Sequence, residues 1–140
     1  MAIKMRILYA SNKSKIKNIA NAIKAQYDLA FNSVDVIPPA YSCDKERIVV
    51  LAISGKGAPS DSLRLFCREL NKSRAQNVAL LIDGDEKLAN SLKETLAEAG
   101  TNVYDEVLYV KGGLPFLGSV KPEEKAEVFA WVDRVIANLK

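Results

Sequence analysis

The chain has 140 residues, 49% hydrophobic and 26% charged, with a formal net charge of +3; such a composition describes a folded globular domain with a real core. No apolar run reaches the roughly 18–20 residues needed to span a bilayer. Nothing at the N-terminus reads as a signal peptide, and the lack of any histidine excludes histidine acid–base catalysis and histidine metal sites.

The first apolar run, about 5–10, predicts a strand that passes through a lysine-rich turn into a helix over about 15–27. Ile16, Ile19, Ala20 and Ile23 make that helix's buried face. A short second strand near 33–37 ends at Pro38-Pro39, which cannot continue a ladder. Residues 40–46 read as either a short helix or a loop. Arg47 to Ser54 is a continuous apolar run, as expected of a strand covered on both faces. The turn Gly55-Lys-Gly-Ala-Pro-Ser then leads to a helix from Asp61 or Ser62 to Asn71, burying Leu63, Phe66, Cys67 and Leu70.

Val78 to Ile82 predicts a fourth strand, followed by Asp83-Gly-Asp-Glu and a helix from about Glu86 to Ala99. Leu88, Leu92, Leu96 and Ala99 line one face of that helix, and Gly100 stops it. Val103 to Lys111 predicts an uninterrupted fifth strand. A loop rich in Gly and Pro, 112–121, precedes a last helix opened by Pro122, with Glu123 and Glu124 at its dipole end. Val128, Val132, Val135 and Leu139 form its apolar stripe, beside Trp131. Strands alternating with helices imply a parallel sheet. The fold class is therefore α/β: a three-layer sandwich over residues 1–140, with a five-stranded parallel sheet ordered 2-1-3-4-5.

Cys43 and Cys67 match no metal spacing, and a disulfide between them is not expected in a cytoplasmic protein. Six of the twenty basic residues, Lys4, Arg6, Lys13, Lys15, Lys17 and Lys24, precede the first acid, Asp28. Fourteen then face seventeen acids, a net of −3. Three of the early lysines lie on or beside the first strand–helix turn. The first turn of a helix carries unpaired N–H groups and a partial positive charge, so those amides, the Ser11 and Ser14 hydroxyls and Lys13 or Lys15 together suit a phosphate dianion. The simpler alternative is a serine cap with lysines in water. No basic stripe with interleaved aromatics suggests nucleic acid, and no membrane association is expected. The sequence leaves the oligomeric state open.

Several doubly wound alternatives fail on chemistry. The first turn contains no glycine, which excludes the dinucleotide fingerprint and the P-loop. Ser11-Asn12 and Ile53-Ser54 stand where a phosphate-accepting receiver domain needs acids, and no cysteine lies in the first loop. What remains resembles the flavodoxins over essentially the whole length. Their phosphate loop reads Ser/Thr-x-Thr-Gly-x-Thr; the matching positions here are Ser11-Asn12-Lys13-Ser14-Lys15-Ile16. Their loop after the third strand matches Ser54-Gly55-Lys56-Gly57, and the Gly-Asp of their loop after the fourth matches Gly84-Asp85. The family's glycine, both threonines and the ring-stacking aromatics are replaced, and a sequence pI of 8.8 departs from its acidic habit.

The resemblance implies FMN, bound non-covalently. Ser11, Asn12, Lys13, Ser14, Lys15 and Ile16 would hold its phosphate, and Ser54, Gly55, Lys56, Gly57, Gly84 and Asp85 its ring. The implied function is electron transfer to a redox partner protein, the cofactor supplying the chemistry and no side chain acting as catalyst. The alternative from a different class is a flavodoxin-like binding or regulatory module that has lost flavin and takes another phosphorylated ligand or a protein partner.

Overall fold

The computed structural model describes residues 3–27 and 32–140. The elements in chain order are β1 (Met5–Ala10), α1 (Ser14–Gln26), β2 (Asn32–Val36), β3 (Ile48–Ser54), α2 (Asp61–Arg68), β4 (Asn77–Asp83), α3 (Glu86–Ala99), β5 (Asn102–Val103), β6 (Leu108–Tyr109) and α4 (Pro122–Ala137). The strands form one parallel sheet ordered β2-β1-β3-β4-β5, with β6 also pairing β4.

The period-two geometry of a strand explains the long apolar runs. On β3, Ile48, Val50 and Ala52 join a cluster with Ile16, Ile19, Ile23, Val128, Trp131 and Val132, which places α1 and α4 over one face. The alternate residues Val49, Leu51 and Ile53 join Leu63, Cys67, Leu88, Leu92 and Leu96, which places α2 and α3 over the other. Both faces are covered, so β3 is apolar at almost every position.

Three local features differ from the sequence expectation or settle it. Residues 40–46 form no helix. Arg6 Nη1 donates to the Tyr41 carbonyl at 2.6 Å, the Ala40 amide to Asp35 at 2.9 Å and the Glu46 amide to the Arg74 carbonyl at 3.0 Å. These outside partners take up the backbone that a helix would have paired internally.

α2 ends at Arg68, short of Asn71. The Glu69 amide already bonds the Leu65 and Phe66 carbonyls, and Asn71 Oδ1 instead accepts from Ser73 and Arg74 to form a turn.

The predicted fifth strand is two short strands rather than one. Between them Glu106 leaves the sheet edge for α4: its carbonyl accepts from Trp131 Nε1 at 2.9 Å, and its carboxylate takes Arg134 at 2.9 and 2.8 Å. Trp131 is fully buried, so its indole N–H needs this partner, and the helix wins the backbone from the sheet.

Candidate functional site

Parallel pairing fixes which residues meet at the carboxyl edge. Ala10 pairs with Ile53, and Ser54 with Asp83. One step further, Ser11, Ser54 and Asp83 stand side by side across the three central strands. Each is the first polar residue after an apolar run, because there the chain leaves the covered part of the sheet.

These residues bond to one another. Asp83 Oδ2 accepts from Ser54 Oγ at 2.9 Å and from the Lys13 ammonium at 2.6 Å, and its Oδ1 accepts from the Gly112 amide at 3.0 Å. Ser11 and Ser54 share a hydroxyl contact of 2.7 Å. Ser54's single hydrogen is committed to Asp83, so Ser11 donates and Ser54 accepts. Ser11 Oγ in turn accepts from the Lys13 amide at 3.0 Å. The ring thus runs from the Lys13 backbone through two serines to Asp83 and returns to the Lys13 side chain.

Burial is the largest influence on Asp83 and opposes its charge. Lys13, the Gly112 amide and Ser54 together outweigh it and hold the carboxyl below its ordinary value. A carboxylate gripped this way is a poor base. The network positions loops; it is not arranged to move protons.

The first turn of α1 is similarly engaged. Its N-cap residue, Lys13, supplies no side-chain cap. The Ser14 amide donates instead to the Pro115 carbonyl at 3.0 Å, from the 112–121 loop, and Asn18 Nδ2 donates to Gly118 O at 2.8 Å. Lys15 is paired with Glu124 of α4; Lys15, then the Lys121 amide, keep Glu124 below the usual carboxylate range. Ile16 is fully buried in the core, while Asn12 and Ser14 are exposed.

At the ring end, the turns after β3 and β4 are tied together. The Gly55 amide donates to Asp83 O at 3.1 Å, and the Gly57 amide to Asp85 Oδ1 and Oδ2 at 3.1 and 3.2 Å. A Cβ at Gly84 would lie 2.1 Å from Gly55 O, so glycine is required for this approach. Asp85 caps α3 through the Leu88 amide at 2.9 Å. That bond, then the Gly57 amide, lowers its pKa. Lys56 is exposed.

All twelve nominated residues therefore belong to, or directly flank, one cluster of turns. Asp83, Gly112, Pro115, Gly118 and Glu124 were not nominated, although Asp83 takes the Lys13 ammonium, Pro115 the Ser14 amide and Glu124 the Lys15 ammonium. Asp83 alone left a signal: it is the polar stop of β4, as Ser54 is of β3. The other four come from the last loop and from α4, and only the tertiary fold brings them here. Among the described residues, no three His, Cys, Asp or Glu side chains gather to hold a metal.

An FMN phosphate at α1 would have to displace the Pro115 carbonyl from the Ser14 amide and compete with Asp83 for Lys13. A ring between the β3 and β4 turns would part Gly57 from Asp85. The groups as arranged do not fit the cofactor.

A doubly wound parallel sheet with its loops converging at the carboxyl edge is the general class. Comparison with known proteins narrows it. No family model and no curated protein sequence matches the chain, but solved structures do. The flavodoxin of Streptococcus pneumoniae TIGR4 is 15% identical, with a TM-score of 0.69 over 95% of this chain and 97% of that one. Flavodoxin 1 from Bacillus cereus is also 15% identical, with a TM-score of 0.64 over 97% and 99%. A short-chain flavodoxin associated with a non-canonical PDU bacterial microcompartment is 11% identical, with a TM-score of 0.68 over 98% of each chain. The chain has the flavodoxin-like fold.

Proposed function

We propose that this chain is a flavodoxin-like binding module that has given up flavin and acts through a protein partner. The observation that carries the reading is the internal use of the phosphate-loop donors: Lys13 by Asp83, and the Ser14 amide by Pro115. Exchanging satisfied internal bonds for bonds to a ligand gains little, because each net hydrogen bond contributes only about 0.5–1.5 kcal/mol. A partner role is supported by Leu114, Phe116 and Leu117, which are 54%, 76% and 54% exposed at the same edge. A cytoplasmic setting is supported by the two cysteines, both unpaired.

A second reading, an FMN electron carrier serving a redox partner, is favoured by the flavodoxin-like fold shared over nearly the whole chain. It requires the 112–118 loop to leave α1 and Lys13 to exchange Asp83 for phosphate. Lys56 near the ring would then stabilise reduced, anionic flavin and make the cofactor less reducing. Titrating micromolar FMN with the purified protein separates the two. Unchanged flavin fluorescence and an unshifted melting temperature are expected; quenching that survives desalting would refute the loss of flavin and favour the carrier.

A further inference from the structure

We infer that Asp83 is a built-in anion for this crevice, engaging the Lys13 ammonium that an anionic ligand at α1 would need, and that it fastens the 112–118 loop as a strap over the first turn of α1. The inference rests on the reading that the crevice holds no flavin, and it goes further by naming what holds the crevice shut.

Three kinds of donor converge on the one carboxylate: an ammonium from Lys13, a hydroxyl from Ser54 and a backbone amide from Gly112. Ammonium, hydroxyl and loop amide are also the donors that bind phosphate oxygens. Here the negative charge they serve is covalently part of β4.

The consequence reaches along the loop. Gly112 lies so close to the pair that an added Cβ would fall 2.3 Å from Asp83 Oδ2 and 2.6 Å from Lys13 Cδ. From that anchor the chain turns back on itself, Leu117 N donating to Leu114 O at 3.1 Å, and delivers the Pro115 carbonyl to the Ser14 amide. Gly118 then seats against α1, where a Cβ would fall 2.6 Å from Asn18 Nδ2 and 3.1 Å from Ser14 Cβ. The strap is therefore held at both ends and in the middle, while Leu114, Phe116 and Leu117 are directed outward. Neutralising Asp83 removes the first anchor, and the α1 amide should lose its acceptor with it.

Site-resolved amide hydrogen exchange tests this on three proteins: the parent, Asp83→Ala, and Lys13→Met combined with Asp83→Ala. The double variant leaves no uncompensated ammonium, so it reports even if the single variant folds poorly. Exchange at Ser14, Gly112 and Leu117 should rise at least tenfold in the variants, while the amides of Leu80 and Leu81 in the sheet stay within twofold of the parent. If Ser14 and Leu117 keep their parental rates when Asp83 is removed, the strap is held by other forces and the inference fails. FMN titration of the parent is read separately. Flavin binding there would overturn the proposed function, whereas the exchange rates alone decide the strap.

Discussion

Gly84→Ala is the most direct probe of whether the β3 and β4 turns close on each other. The new Cβ would sit 2.1 Å from Gly55 O and 3.3 Å from Leu88 Cδ2. The first contact is with backbone, so the two turns must separate. Overpacking of this kind costs about 1–3 kcal/mol, and losing the Gly55–Asp83 hydrogen bond adds about 1 kcal/mol. For a chain of this length, each kcal/mol lowers the melting temperature by roughly 3–5 °C. A drop of roughly 6–20 °C should therefore appear in thermal unfolding followed by circular dichroism. Gly57→Asn is the control. Gly57 has φ +66° with nothing within 4 Å of an added Cβ, and Asn tolerates left-handed backbone, so the cost should stay under about 1 kcal/mol. A Gly84→Ala protein melting within 2 °C of the parent would show that the turns are not in contact and would reopen the slot for a planar ligand; a control equally damaged would show that the loss does not come from the Gly55 contact.

Acid should weaken the protein through Asp83. Its folded pKa is depressed, so the stabilisation is complete above the unfolded value of about 3.9 and disappears as pH falls through the folded value. Urea unfolding between pH 7 and 2 should show a steeper acid loss in the parent than in the Lys13→Met, Asp83→Ala double variant; parallel curves would count against it. Cys67 is fully buried and its thiol is pushed up to about 12 by burial, while burial also raises that of Cys43. Both should resist a thiol reagent at pH 8 until the protein is unfolded, and prompt native labelling would contradict their placement. Trp131→Phe should cost roughly 1–3 kcal/mol by stranding the Glu106 carbonyl; an unchanged urea midpoint would show that the indole N–H matters little. Glu106→Gln, at a half-exposed ion pair, should change stability by no more than about 1 kcal/mol, with a larger loss pointing to a buried network.

Sequence alone determined the layered α/β architecture. Apolar runs at β1, β3 and β4 and 3.6-residue spacing in α1, α3 and α4 are local patterns, and a sheet covered on both faces leaves few ways to assemble them. Sequence also marked the turns that meet at the carboxyl edge, since Ser11, Ser54 and Gly84-Asp85 stand where strands give way to helices. What it left undecided was whether those groups wait for a ligand or serve one another. Lys13 reads the same on paper whether it faces water, phosphate or Asp83, seventy positions away. The answer depended on the 112–121 loop, whose Gly-Pro composition allows many paths, and on the long-range contacts that bring the Pro115 carbonyl to α1 and Gly112 to Asp83. Interrupted pairing along the fifth strand has the same origin: Trp131 and Arg134, far along the chain, compete with the sheet for Glu106. Periodicity records which side of an element is buried, but hydrogen-bond partners distant in sequence are chosen only when the elements pack.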